Sequence, residues 1–237
     1  MIDASGLLTR AQLAAIVNRA FGASEMASLT RFSDMSPSAW HYNDMAKAVQ
    51  MKTFTGTNGD LRPDDPITRE EAFAVLARAF ALDGGSEAAL SRFTDGGGVS
   101  SWAKGSTAAL VENGYVSGSN GQLRPQSSIT RAEFAKIISG LAGAYLDTDS
   151  ASGTTFDGNV IVRADGVKLD GVTVNGDLII ADGAGKVDLT GVNVTGRIVL
   201  RGGADGVSFS NTKANKGIFI KGDVAIGGKV DDMTVID

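Results

Sequence analysis

The sequence predicts two domains of different architecture: an all-α module with a core of three helices, followed by a short parallel β-solenoid. Two internal repeats carry this prediction. Residues 32–82 align with residues 93–142, and from the first tryptophan onward the offset is a constant 62. Beyond about residue 158, short β-branched runs ended by Asp-Gly and Asn-Gly recur with a period of 20. We therefore expect domains at residues 1–145 and 156–237, with a polar linker at 146–155.

Three helices are predicted to begin at a recurring capping sequence. Residues 68–71 and 130–133 have the form Thr-x-x-Glu, in which a hydroxyl and a carboxylate bond the free amides at a helix start, and residues 9–12 fit it with glutamine. Apolar side chains follow each cap at matching offsets, as in amphipathic helices. They are Ile16, Val17, Val75, Leu76, Ile137 and Ile138. A further helix is predicted after Trp40 and after Trp102, with loops rich in Gly, Asn and Pro between the helices.

The capping sequences share an arginine that capping does not explain. Arg10, Arg69 and Arg131 occupy the first turn, where the helix dipole is positive and a cation is mildly unfavourable. A guanidinium beside free helix amides makes an electropositive point suited to a carboxylate or phosphate. The alternative is a surface ion pair with a neighbouring acid, which contributes little to stability. Both interpretations remain open from the sequence.

Taken in order, these elements resemble the S-layer homology (SLH) module. The matching elements are Phe-x-Asp at 32–34 and 93–95, the two tryptophans, the loop Gly-x-Asn-Gly-x-Leu-Arg-Pro at 56–63 and 118–125, and the Ile-Thr-Arg cap. The ordered combination is specific and covers roughly residues 1–145. It implies a pseudo-threefold unit with three central helices and loop prongs. Such modules bind secondary cell-wall polysaccharides of Gram-positive bacteria, often through a terminal pyruvate ketal on an N-acetylated sugar.

The resemblance also implies which residues contact the glycan. An arginine fork suits the planar carboxylate of a pyruvyl group, and a tryptophan offers a flat face to a sugar ring. The aspartates would orient the arginine or accept a sugar hydroxyl. Carried over position by position, the candidates are Arg10, Arg69, Arg131, Asp34, Asp95, Trp40, Trp102, Gly56 and Gly118. The tryptophans also fit a buried core, and the aspartates also fit a turn cap.

The first motif departs from this pattern. Its front half, with Phe-x-Asp and tryptophan, has no counterpart before residue 9, so we expect at most two complete binding grooves. Its cap ends in Gln12 instead of glutamate, which predicts weaker support for Arg10 than for Arg69 and Arg131. The single histidine, His41, belongs to no pattern typical of a metal site or a catalytic site.

The second half predicts about four solenoid coils with three short strands each. Apolar residues align at steps of 20, for example Val167 with Val187 and Val207, and Leu178 with Ile198 and Ile218. Asp165-Gly166, Asp170-Gly171 and Asn175-Gly176 are predicted corners, where a positive φ is cheap for glycine. The aspartates lack the spacing of an EF-hand or a calcium β-roll, so we expect turn chemistry and no calcium site.

Charge, hydropathy and cysteine content argue against several classes of function. The net charge of −5 and the pI of about 4.9 argue against a nucleic-acid binder. No run approaches 18 apolar residues, so no membrane span is expected. The absence of cysteine excludes Cys-ligated metals and thiol nucleophiles, and we expect neither a cofactor nor a metal. The N-terminus has no secretory-signal pattern, which predicts that a signal was removed or that the chain is a piece of a longer extracellular protein.

We expect a non-catalytic anchor that attaches a surface protein to the cell wall or S-layer by binding acidic, pyruvylated polysaccharide, with the solenoid as spacer or platform. The alternative is a polysaccharide-degrading β-helix enzyme. The second half contains no glutamate, which argues against that alternative. A self-assembling surface-layer component, whose solenoid associates through exposed strand edges, is compatible with anchoring.

Overall fold

The computed structural model describes residues 4–82, 84–147, 150–228 and 235–236. It divides the chain into two compact units. The first comprises Met1–Asn18 and Glu25–Gly140, and the second comprises Arg19–Ser24 and Leu141–Asp237. We call them the helical unit and the solenoid unit. In the part of the chain that the structure describes, no helix has the length and apolar character needed to cross a bilayer.

The predicted helices are confirmed. Within residues 4–82 and 84–147 the structure has five α-helices and two short 3₁₀ segments. The α-helices are α1 (Arg10–Phe21), α2 (Tyr42–Gln50), α3 (Arg69–Ala79), α4 (Lys104–Glu112) and α5 (Arg131–Leu141), and the 3₁₀ segments are Glu87–Arg92 and Gly96–Gly98. Most of the predicted apolar positions are buried, among them Val17, Val75, Leu76 and Ile137, whereas Ile16 and Ile138 are half-buried.

The three capped helices meet around a closed ring of backbone hydrogen bonds. The Leu8 amide donates to the carbonyl of Ile129 at 3.1 Å, Ile67 donates to Leu8 at 2.9 Å, and Ile129 donates to Ile67 at 3.0 Å. All three side chains are at most 2% exposed. Each of the three copies therefore donates to one neighbour and accepts from the other, which is the pairing that the predicted pseudo-threefold unit requires.

The second half is a parallel β-solenoid, as predicted. Its described strands form three sheets whose pairings are all parallel. The first sheet has β1 (Ala144–Leu146), β4 (Val160–Val162), β7 (Leu178–Ile180), β10 (Ile198–Leu200), β13 (Ile218–Ile220) and β15 (Val235–Ile236). The second has β2 (Ala151–Ser152), β5 (Val167–Asp170), β8 (Lys186–Thr190), β11 (Gly206–Ser210) and β14 (Ile226–Gly228). The third has β3 (Thr155–Asp157), β6 (Thr173–Asn175), β9 (Asn193–Val194) and β12 (Lys213–Ala214).

The solenoid begins earlier than predicted. Leu178 pairs with Ile198 and Ile198 with Ile218, which confirms the period of 20. However, Ala144 pairs with Val160 and Val160 with Leu178, so the first two steps are 16 and 18 residues. Strands β1, β2 and β3 include part of residues 146–155, and the structure places these residues in the first coil instead of in a linker.

One of the predicted corners has a different physical basis. Gly166 and Gly171 have φ values of +77° and +61°, as expected for corner glycines. Gly176 does not have a positive φ; a Cβ there would lie 2.5 Å from the carbonyl carbon of Gly158. The glycine at this corner is therefore required because backbones of successive coils approach closely. Inward-facing residues such as Val187, Leu189 and Phe209 fill the space between the sheets.

Candidate functional site

The helix caps form as predicted. Glu71 accepts a hydrogen bond from the Thr68 amide at 2.9 Å, and the Thr68 hydroxyl accepts one from the Glu71 amide at 3.3 Å. Thr130 and Glu133 make the same pair of bonds at 3.0 and 3.2 Å. In the first cap Gln12 takes the place of the glutamate, with both bonds at 3.3 Å.

The arginine of each of the first two caps reaches into the following copy of the motif. Arg10 donates from Nε to the carbonyl oxygen of Leu61 and from Nη1 to Oε1 of Glu71, both at 2.7 Å. Arg69 repeats these bonds one copy further on, to the carbonyl of Leu123 at 2.7 Å and to Glu133 at 2.8 Å. These ion pairs explain why a cation is retained at the positive end of a helix, because the capping glutamate of the next helix neutralises it.

These arginines are buried and charged. The side chains of Arg10 and Arg69 are each 8% exposed. Burial lowers the pKa of both guanidinium groups, and the attraction of Glu71 or Glu133 opposes that shift. Arginine nevertheless stays ionised in proteins. The two bonds described above use two of the five N–H donors of each guanidinium, which leaves up to three for a ligand.

The glutamate partners are shared between two arginines. Arg62 also donates to Glu71, at 3.0 Å, and Arg124 donates to Glu133 at 3.5 Å. Partial burial would raise the pKa of Glu133, but the Thr130 amide and hydroxyl and both arginines outweigh it, so the pKa lies below its ordinary value. The sequence predicts only a capping role for these glutamates.

The aspartates of Phe-x-Asp brace the loop through its backbone amides. Asp34 accepts hydrogen bonds from the backbone amides of Leu61, at 3.0 Å, and Arg62, at 2.6 Å. Asp95 does the same for Leu123 and Arg124, at 2.8 and 2.7 Å. Desolvation raises the pKa of Asp95, but these amides outweigh it and the pKa lies below its ordinary value. Since Leu61 and Leu123 supply the carbonyls that hold the arginines, the aspartates act on the arginines through the loop.

The loop glycines are fixed by conformation and by close packing. Gly56 has a φ of +73°, and a Cβ there would lie 2.6 Å from the ring of Phe32. Gly118 has a φ of +67°, and a Cβ there would lie 2.7 Å from the ring of Phe93. An L-side chain is unfavourable at both positions.

The arginines, loops and helices enclose two equivalent concavities. The first, which we call groove A, has a volume of about 300 Å³ and is lined by Arg10, Phe54, Gly56, Glu71, Val75 and Trp102, among others. The second, groove B, has a volume of about 280 Å³ and is lined by Arg69, Val116, Gly118, Glu133, Lys136 and Ile137, among others. Each groove combines the arginine of one copy with the loop and helix of the next.

The remaining candidates lie outside these grooves. Trp40 and Arg131 line neither groove A nor groove B. Both tryptophans are on the surface, Trp40 at 64% and Trp102 at 54% exposure, so the core alternative is wrong. The ring of His41 is buried edge-on against Trp40 at 5.3 Å, and its Nε2 lies 3.6 Å from Asp64.

Of these two grooves, groove A is lined by all three predicted kinds of binding residue, namely a cap arginine, a loop glycine and a tryptophan. The tryptophan comes from the copy after the one that supplies the loop. By the same rule, groove B would take its tryptophan from the first motif, which has none in this sequence. The geometry thus favours Arg10 and Arg69 as groove residues, whereas the sequence favoured Arg69 and Arg131.

The chain thus contains a helical repeat module with grooves between successive copies of its motif, followed by a β-solenoid. Comparison with protein families identifies the module: residues 31–73 and 92–135 match the S-layer homology domain. Both matched segments lie in the helical unit. SLH domains are cell-wall anchoring modules, so the match implies a location at the cell surface or cell wall.

Relatives with different names share a segment of 137 to 143 residues with this chain. The chain is 36% identical over 137 residues to the surface-layer 125 kDa protein of Lysinibacillus sphaericus, covering 56% of this chain and 11% of that protein. It is 31% identical over 138 residues to an amylopullulanase of Thermoanaerobacterium thermosulfurigenes, covering 56% and 7%. It is 30% identical over 143 residues to exoglucanase XynX of Acetivibrio thermocellus, covering 59% and 13%. The chain spans about a tenth of the length of these relatives.

Proposed function

We propose that the helical unit anchors its parent protein by binding the acidic group of a secondary cell-wall polysaccharide in groove A, with a pyruvylated sugar as the ligand. The observation that carries this proposal is the placement of the Arg10 guanidinium and the exposed Trp102 side chain in one concavity. A carboxylate and a sugar ring are the two chemical groups that these side chains suit.

Charge supports a singly anionic ligand in this groove. Arg10 and Arg78 line it together with one glutamate, Glu71. The Glu71 carboxylate is held by Arg10, Arg62 and the Thr68 amide. A ligand carboxylate that meets the remaining N–H donors of Arg10 would make charge-assisted hydrogen bonds, each worth about 1.5–3 kcal/mol. The apolar side chains of Phe54 and Val75 would exclude water from the same bonds.

We infer that this chain is not an enzyme. The segment shared with the three relatives is of similar length in each, although their names differ from surface-layer protein to amylopullulanase and exoglucanase. A module common to proteins with such different names is expected to attach them and not to perform the named reactions. The solenoid would then serve as spacer or assembly platform. Release of reducing ends from acidic wall glycans by the purified chain would overturn this inference.

The anchoring proposal is tested by sedimentation with purified wall sacculi. The chain should be retained on intact sacculi and released when the secondary polymer is removed chemically. Trp102→Ala should weaken retention, while Trp40→Ala, its matched control outside both grooves, should not. Equal retention before and after removal of the polymer would show that the polymer is not the ligand.

A further inference from the structure

Grooves A and B occupy equivalent places in the repeat, but their chemistry differs. Phe54 of groove A corresponds to Val116 of groove B, and Ala74 to Lys136. Trp102 has no counterpart among the residues lining groove B. Groove B therefore has less aromatic surface than groove A, with Tyr115 as its aromatic side chain, and it has a cation at the position of Ala74. Two grooves built on one scaffold with different linings are expected to differ in ligand preference.

The exchange changes the charge of the lining. Groove A has two arginines and one glutamate among its lining residues, a formal charge of +1. Groove B has Arg69, Arg124, Lys136 and Glu133, a formal charge of +2. The Lys136 side chain is exposed, and among the described residues it makes neither a hydrogen bond nor an ion pair. Its ammonium is thus available to an incoming anion.

A second cation of groove B is held more loosely than its counterpart. Arg124 reaches Glu133 at 3.5 Å, whereas Arg62 of the preceding copy reaches Glu71 at 3.0 Å. Arg62 is not among the lining residues of groove A, but Arg124 lines groove B. A looser ion pair costs less to exchange for contact with a ligand. Groove B therefore presents two accessible cations beside the buried guanidinium of Arg69.

We propose that groove B takes a sugar of the wall polymer that carries a terminal phosphate monoester, with a charge of about −1.5 to −2 at pH 7, while groove A takes the singly charged carboxylate sugar. This inference rests on the proposed anchoring function. Lysine binds phosphate as a compact charge, and arginine binds it through a planar fork. The hydroxyl groups of Ser117 and Ser119, which also line groove B, supply neutral hydrogen-bond partners for the same oxygens. Tyr115 offers a smaller aromatic face than the indole of Trp102, so we expect charge to supply most of the affinity here.

The test is a titration of the full ¹⁵N-labelled chain with N-acetylglucosamine 6-phosphate, followed by NMR. The amides of Gly56 and Gly118 report on grooves A and B. The Gly118 signal should shift first, and Lys136→Ala should weaken the affinity about tenfold because one charge-assisted contact is lost. Lys136→Arg should retain most of it. Lys104→Ala, a lysine paired with Glu87 outside the groove, is the matched control and should change nothing.

The inference is overturned if Gly56 and Gly118 respond equally to the sugar phosphate, or if Lys136→Ala binds it as tightly as the unmodified chain. Inorganic phosphate distinguishes a sugar site from a bare anion site: it should bind more weakly, and equal affinity would contradict recognition of a glycan. Failure of the anchoring proposal is separately visible, because retention on sacculi does not depend on the result of this titration.

Discussion

Replacing Arg10 with glutamine separates its contribution to the fold from its contribution to binding. The substitution removes the donors to Glu71 and to the Leu61 carbonyl, and with them the fork that faces groove A. Breaking a buried ion pair costs about 3–5 kcal/mol. Glu71 is 19% exposed and keeps its bonds to Arg62 and Thr68, so we expect a loss of about 2–3 kcal/mol in the free energy of unfolding. The lost contact with the ligand should reduce affinity for a pyruvylated sugar about 10- to 150-fold.

Both quantities can be measured on the same protein. The two tryptophans lie in the helical unit, so tryptophan fluorescence in urea follows the unfolding of that unit. Affinity is measured by calorimetry under conditions where the variant is fully folded. Arg31→Gln is the control, because Arg31 stacks on Phe32 at 4.7 Å and lines neither groove. If folded Arg10→Gln binds the sugar as tightly as the unmodified chain, Arg10 only stabilises the fold, and the proposed contact between Arg10 and the ligand is wrong.

Three further substitutions test the remaining parts of the site. Trp102→Ala should lower affinity for the sugar about tenfold in the same calorimetric titration, whereas Trp40→Ala should change it less than twofold; similar losses would contradict the assignment of the indole to groove A. Gly56→Ala, with its Cβ 2.6 Å from a phenylalanine ring, should lose about 2–4 kcal/mol in urea unfolding, and Gly59→Ala, with nothing within 4 Å at a similar φ, about 1 kcal/mol. Because the folded-state pKa of Glu133 is lowered, its carboxylate stabilises the fold above its ordinary pKa of 4.5, and this contribution is lost as the pH falls through the folded-state value. Glu133→Gln should therefore be less stable at pH 7 and approach the unmodified chain in strong acid; a gap of constant size would exclude this linkage.

Local structure was predictable where it depends on nearby residues. Thr-x-x-Glu identified the starts of α3 and α5 because the bonds of a capping box join residues three apart. The solenoid register was predictable from Val167 onward because side chains that stack in successive coils recur at a fixed spacing. Both patterns can be recognised within short segments of the sequence.

The partners of the arginines were not predictable in the same way. An internal alignment shows that Arg10 and Arg69 are equivalent, but it does not show that each faces the following copy. For that reason the sequence supported Arg10 least, although Arg10 lines the groove that contains a tryptophan. The first coil was missed because steps of 16 and 18 residues at Val160 break the period of 20.

The ring formed by Leu8, Ile67 and Ile129 has a consequence for how such proteins can grow. A solenoid is an open stack, and an added coil pairs with the last one and leaves a new end for another. A triangle of mutual donors and acceptors offers no such end. A fourth motif copy would have no free donor or acceptor in the ring to pair with. Lengthening the wall-binding part of a protein of this kind therefore requires a second set of three copies, whereas a solenoid can be lengthened by one coil at a time.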